Sequence, residues 1–471
     1  MPLNDMIGWT VIALIFAPII IGMSMRAPKL IALPLIAILI IFSSSTWGQL
    51  QVTNTVYSRG TGLFYFSLIN IVLLVAGIGL LMRKLANPYS QNLAPPLSTY
   101  FIGFTILLMA HILVGLILGV DLVNILSYTG AINVFNMLIF MYLVITAFKR
   151  EKDQKKLLYM IVALAALRAV FGIVRFVWFE GDGANPYRNF EGLDLKIVFF
   201  DIADNFVASL AAFWAAWMLT SSRIRLSRFK RLALYGVILL EIATVALSFR
   251  RSSLIGLVLM FIFLWLRMPK QNRVQFTLMA GGVLLFIASY FFQQRLQHEG
   301  HATGNFVTSL FSDITPPENG AKSDNRLYEL TEAAKSLDGN WLTGIGTWGS
   351  FRGDQNGLDY HFGKFDFVHS GFGHIVLKTG LIGLLLFAGI FFKFTRYYLK
   401  HCQSLTGTSR FISDAGFAGF LFWIPTLMVG TPIIEFRSML LLGLTLALPF
   451  VAVRIQRKYT QNNSPINYAA T

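Results

Sequence analysis

The chain has 471 residues, of which 55% are hydrophobic and only 13% charged, with a mean hydropathy of +0.62. A water-soluble domain carries far more charge, so the composition excludes a soluble enzyme and fits a polytopic membrane bundle. The net charge of +16 sits in short loops between apolar runs, which points to membrane topology and not to nucleic acid, and the single cysteine, Cys402, excludes an intramolecular disulfide.

Apolar runs long enough to span a bilayer fall at about residues 9–25, 30–45, 64–82, 99–119, 131–148 and 157–178. They continue at about 197–220, 232–246, 254–266, 274–292, 371–394, 411–429 and 439–453. The pattern predicts an all-α transmembrane helical bundle of about 12–13 spans, divided as residues 1–292, a long loop at 293–368, and a C-terminal part at 369–471. The start, MPLNDMIGW, lacks the basic n-region of a secretory signal, so no cleaved leader is expected.

Loop charge sets the expected orientation. Arg26 and Lys29, Arg83 and Lys84, the run from Lys149 to Lys156, Arg223 to Arg231, Arg267 to Arg273, Lys393 to Lys400, and Arg454 to Lys458 all fall on alternate loops. Together they place that side, Cys402 and the C-terminus in the cytoplasm, and the N-terminus outside. The long loop then lies on the non-cytoplasmic side. A loop of that length in a compact protein is commonly functional. It carries its own helix signal: Ser323 as a cap, Asp324 in the first turn, Leu327, Leu330, Ala334 and Leu337 at helical spacing, and Gly339 as a stop. Such an amphipathic helix is expected to lie over the membrane surface with its apolar face down.

The loop ends in DFVHSGFGHIVLKTGLIGLLL, residues 366–386. His369 stands at the mouth of a membrane helix, where free backbone N–H groups and the positive helix end attract anions and favour a neutral, proton-accepting imidazole. Gly380 and Gly383 share a helix face and predict close approach of a neighbouring helix. Arg250 and Arg251, in SFRRSSLIGL, sit on the side where the positive-inside rule disfavours arginine. Next to Ser252 and Ser253 at a helix start, they can hold a phosphate bidentately or simply anchor the interface.

Several ionisable residues fall inside predicted spans: His111, Arg168, Arg175, Asp201, Asp204, Glu241 and Lys378. Such groups face a partner or a cavity. Arg168 and Arg175 are two turns apart on one helix face, and Asp201 and Asp204 share a face on the next span. They can pair across the two helices, or line a polar path for a diphosphate or sugar. Lys378 is expected to pair with Glu241 or another carboxylate. His361, His369 and His374 have no metal-site spacing, and no P-loop or dinucleotide-binding glycine pattern occurs, so neither a metal nor another cofactor is expected.

His369-Ser370, nine residues, then Gly380, Gly383 and Leu386 at three-residue spacing resembles the signature of the O-antigen ligase and O-antigen polymerase family, bacterial membrane glycosyltransferases that use polyprenyl-diphosphate-linked glycans. The resemblance runs from about Glu241 onward. It extends to an arginine near the position of Arg250 or Arg251, and to a loop arginine, Arg326, that opens an amphipathic helix closed by a Gly-x-Gly turn at Gly344 and Gly346. It implies a bacterial inner-membrane enzyme that works on the periplasmic face without a metal, and transfers a glycan from an undecaprenyl-diphosphate carrier, with inversion, to a lipid A core or glycan acceptor. His369 is then the base and Arg326 with Arg250 the catalytic cations, while Arg251, Arg175, Arg168 and Ser370 bind donor. The rivals are a polymerase of the same family and a lipid or sugar transporter without chemistry, the latter drawing on the charges inside the spans.

Overall fold

A computed structural model describes residues 3–42, 67–86, 97–126, 131–179, 181, 197–221, 226–248, 250–274, 276–278, 281–282, 289, 326–352, 364–430 and 432–462. The helices are α1 (Leu3–Arg26), α2 (Lys29–Ile41), α3 (Leu68–Ala86), α4 (Ser98–Ile117), α5 (Leu122–Ile125), α6 (Ala131–Ala147), α7 (Glu151–Trp178), α8 (Ile202–Thr220), α9 (Arg228–Leu247) and α10 (Arg251–Arg267). They are followed by α11 (Arg326–Lys335), α12 (Gly371–His401), α13 (Gly407–Val429) and α14 (Phe436–Asn462). Among the described residues the strands are a two-residue antiparallel pair, β1 (Phe351–Arg352) and β2 (Lys364–Phe365). Among the described residues, seven helices are long and apolar enough to cross a membrane, and the α1–α2 pair, bent by 107°, makes up to eight. Twelve of the thirteen expected spans coincide with helices. The run at 274–292 lies largely outside the described residues, as do the Ser323 cap and Asp324.

The bundle is all-α and layered by hydropathy. α8 and the first two-thirds of α14 are apolar nearly all round, and they are buried along almost their whole length, as a helix without a polar face must be. α4 instead turns Ile102, Ile106, Met109, Leu113 and Ile117 outward, a lipid-facing edge. Polar contacts tie the basic loops together at one end. Lys29 meets Asp153 at 2.8 Å, Thr408 meets Glu151 at 3.3 Å, and Arg454 reaches the Ile145 carbonyl. Near this end Cys402 follows α12, fully buried, its thiol pushed up to about 11 chiefly by burial. His369, Arg250 and the N-terminus of α14 lie at the opposite end.

The long loop is built into the bundle. α11 buries Ala333, with Leu330 beside it, against Phe351, Val368 and Leu377. Its apolar side therefore faces protein, where the sequence suggested a membrane surface. Beyond it, the segment from Trp341 to Gly349 enters a break in α12. Gly380 has φ 64 and ψ −165, inside what would otherwise be one long helix, a conformation open essentially to glycine alone. The break strands backbone groups, and the loop takes them. Leu381 N–H donates to Trp341 O at 2.8 Å, Ile382 N–H to Leu342 O at 3.2 Å, and Ile345 N–H to Leu377 O at 2.9 Å. A Cβ at Gly380 would lie 2.3 Å from the Leu342 backbone, and one at Gly344 would lie 2.6 Å from the Gly380 nitrogen. The expected close approach at Gly380 therefore exists, but its partner is loop backbone and not a helix. A Cβ at Gly383 would meet Thr379 of its own helix, 1.8 Å from Oγ1. Thr347 Oγ1 then donates to Ile125 O, and the Trp348 ring lies edge-on to His111.

Candidate active site

The mouth of α12 is organised by its cap. Ser370 is extended (φ −132, ψ 122), and its hydroxyl accepts from the Gly373 N–H at 3.2 Å, the usual task of serine at a helix start. This cap fixes His369 immediately outside the helix. α11 packs across the mouth, with Leu330 against Gly373, and brings in Glu329. The Glu329 carboxylate accepts from the His369 backbone N–H at 3.0 Å, and its two oxygens lie 3.0 and 3.1 Å from His369 Nδ1. Glu329 is 3% exposed and the His369 side chain 22%. A buried carboxylate thus orients a half-exposed imidazole, and Phe367 meets the ring edge at 5.2 Å. With Nδ1–H given to Glu329, the neutral ring carries its lone pair on Nε2. This is the base-plus-orienting-acid geometry of general-base sites.

Arg326 is the first residue of α11, so its backbone lies one turn, about 4.5 Å along the axis, from Glu329. Its side chain lies outside the described residues. His374, in the first turns of α12, is 1% exposed and sits inside the bundle, not beside His369 at the mouth.

Arg250 caps α10 and its Nε donates to Phe200 O at 3.0 Å. Arg251 follows as the first helical residue. Of the two adjacent serines, Ser253 is buried and accepts from Asn205 Nδ2 at 3.3 Å.

Behind this surface lies a second charged cluster. Arg437, 0% exposed, donates from Nη1 to both oxygens of Asp201 at 3.1 Å and from Nη2 to Asp204 at 2.6 Å. Its Nε and Nη2 also take Leu39 O and Ile40 O, carbonyls that the end of α2 leaves without intrahelical partners. Arg168 meets both Asp204 oxygens at 3.3 Å. Phe199 lies under the Arg168 and Arg175 guanidinium groups, 4.6 and 4.8 Å from its ring centre. Of the two sequence alternatives for Arg168, the structure displays the ion pair. Arg437, which completes the cluster, escaped the sequence reading, although it breaks the positive-inside pattern just as Arg250 does.

The expected Lys378–Glu241 pair is not formed. Lys378, 1% exposed, donates to Thr347 O at 3.2 Å and to Gly349 O, because the loop in the α12 break offers carbonyls where a carboxylate was expected. Glu241 is fully buried, and neither of its carboxylate oxygens has a hydrogen-bond partner among the described residues.

No curated protein matches the chain. Residues 234–388 match the O-antigen ligase family. The matched stretch starts in α9 and ends in α12 just past the Gly380 break. It contains Arg250, Arg251, Arg326, Glu329, His369 and Ser370, and leaves out Arg168, Arg175 and Arg437. The pattern His369-Ser370, Gly380, Gly383, Leu386 falls wholly within it. Residues 234–388 of this polytopic all-α chain are therefore similar to the O-antigen ligase family, a family of membrane glycan-processing enzymes.

Proposed function

We propose that the protein transfers a glycan from an undecaprenyl-diphosphate carrier to an acceptor hydroxyl, on the periplasmic face of a bacterial inner membrane. The observation that carries this reading is the Glu329–His369 pair at the mouth of α12. His369 Nε2 takes the proton of the acceptor hydroxyl, while Glu329 stabilises the imidazolium that forms. The acceptor oxygen attacks the anomeric carbon, and the bond from that carbon to the carrier phosphate breaks with inversion. Undecaprenyl diphosphate leaves with the electron pair and takes up a proton or remains ionised. Its developing charge is met by Arg250 or Arg251 and by Arg326, so the arginines supply the charge neutralisation. The basic loops at the opposite end of the bundle support the orientation. Ligase and polymerase differ in the acceptor alone, a lipid A core against another carrier-linked chain.

The test is product formation by purified protein with carrier-linked glycan and each acceptor. Arg326→Ala is expected to abolish transfer with normal membrane insertion. Arg326→Lys should restore little, since a point charge does not replace a bidentate fork. Near-normal product from Arg326→Ala would remove Arg326 from the site.

A further inference from the structure

The end of the bundle opposite His369 carries more cations than its acids can take. Among the described residues the acids there are Glu151, Asp153 and Asp414. Asp153 holds Lys29 at 2.8 Å, and Glu151 holds Lys155 at 2.9 Å. Asp414 accepts from the Tyr398 hydroxyl at 2.6 Å and from Arg267 at 3.2 Å, with Arg410 at 3.7 Å. Lys393, Arg396 and Lys400, on the last turns of α12, are left over. All three are exposed, and among the described residues no acid pairs with them.

Packing gathers these cations on one surface. Phe394 and Tyr398 are buried, the Tyr398 ring stacked on Phe417 at 4.1 Å, and this fixes the rotation of α12. Phe392, Arg396, Leu399 and Lys400 then fall on the outward face, at i, i+4, i+7 and i+8. α4 covers that side of α12 only as far as Gly389, where an added Cβ would meet the Tyr100 ring, because α4 itself begins at Ser98. Past that point Phe392, Thr395, Arg396, Leu399 and Lys400 line a shallow groove of about 420 Å³. Phe392 is 65% exposed and Leu399 52%, so apolar surface and unpaired charge stand side by side.

We propose that this groove binds an anionic phospholipid from the membrane leaflet at the basic end. Phe392 and Leu399 offer a surface to acyl chains, and Arg396 and Lys400 offer charge to a phosphodiester. The guanidinium can hold two phosphate oxygens as a fork, with the ammonium beside it as a point charge. A zwitterionic lipid brings a cation of its own and leaves the surplus as it was; an anionic lipid neutralises it. A soluble anion has no chains to lay on Phe392 and Leu399. The groove lies at the far end of the bundle from Glu329 and His369, so the inference stands apart from the transfer reaction.

The experiment titrates the purified full-length protein in detergent with phosphatidylglycerol, or with phosphatidylcholine of the same acyl chains, and reads bound lipid by native mass spectrometry. Wild type is expected to bind phosphatidylglycerol the more tightly. Arg396→Gln and Lys400→Gln should each weaken it by roughly fivefold, the worth of one basic residue at an anionic surface, with phosphatidylcholine binding unchanged. Phe392→Ala should weaken both lipids alike. Arg228→Gln, at the start of α9, removes an exposed cation at the same end but outside the groove, and should leave both affinities at the wild-type value. All of these side chains are exposed, so the variants keep the fold. Equal affinity of wild type for the two lipids overturns the inference. So does an equal loss in Arg228→Gln and Arg396→Gln, which would mean diffuse attraction to the whole basic end. Full competition by glycerol phosphate, a headgroup without chains, would make the groove a site for soluble anions and overturn the lipid.

Discussion

Two charged clusters sit at the same end of this bundle, and they differ in exposure. In one, Arg437, Asp201, Asp204 and Arg168 satisfy one another, with Arg437 and Asp204 fully buried. In the other, a buried Glu329 holds a His369 that keeps 22% of its side chain exposed. The first cluster joins α2, α7, α8 and α14 by charges paired with one another inside the bundle. The second presents one titratable ring at the surface and locks its other edge. Burial on all sides makes charge into structure; burial on one side makes it available for chemistry.

The largest effect should come from opening the sealed cluster. Arg437→Ala leaves Asp201 and Asp204 without their main counter-charge, and removing one partner of a buried pair costs about 3–5 kcal/mol. The outcome expected is a strongly reduced melting temperature in detergent and little folded protein in the membrane. His369→Ala should do the reverse, with normal melting and turnover lower by about 10²–10⁴-fold, the usual worth of a positioned base. Donor binding should change little, because the proposed mechanism gives the diphosphate to the arginines. Full activity in that variant would dissolve the distinction between the two clusters. Glu329→Gln sharpens it. The ring loses its charged partner but not its packing, and the hydrogen bond to a charged group is worth about 1.5–3 kcal/mol, so turnover should fall by about 10–100-fold. A loss in melting temperature without loss of turnover would reassign Glu329 to the structural class.

The smallest perturbation tests only which side the clusters face. Cys402 is buried, so it should stay silent toward an impermeant thiol reagent. Asn340→Cys, exposed beyond α11, should label in intact spheroplasts, and Ser404→Cys, exposed in the basic loop, should label only after permeabilisation. The opposite pattern inverts the orientation.

Hydropathy made most of the fold legible, because an apolar run of some twenty residues has few options besides a spanning helix. Partners were less legible. Glu329 reads in the sequence as one acid among several on an amphipathic helix, like Glu332. Its position one turn after Arg326 was the available signal; only the docking of α11 on α12 separates it from its neighbour. Arg437 stands at a span's start on the sparsely basic side, and the reasoning applied to Arg250 would have found it. The hydrogen-bond partner of Lys378 and the close approach at Gly380 were hidden for one shared reason. Sequence periodicity presents α12 as a continuous helix, whereas a break at a single glycine lets loop backbone take both places, with the Asp366 carboxylate, not Glu241, as the acid that acts on Lys378.

That break also bears on whether anything is carried through the protein. Transporters commonly interrupt a helix at mid-membrane and leave the two half-helix ends open, so that their opposed dipoles can hold a travelling ion or substrate. Here the chain has already filled the gap. The carbonyls of Trp341 and Leu342 occupy the positive end that begins at Leu381, and the Ile345 N–H occupies the negative end that finishes at Leu377. A passing ion would find both ends taken. To vacate them, the segment from Trp341 to Gly349 would have to withdraw and strand those groups, together with the Lys378 ammonium, in a medium where each orphaned backbone group costs several kcal/mol. Chemistry at the mouth of the helix asks for no such withdrawal: the substrate comes to a stopper that stays in place.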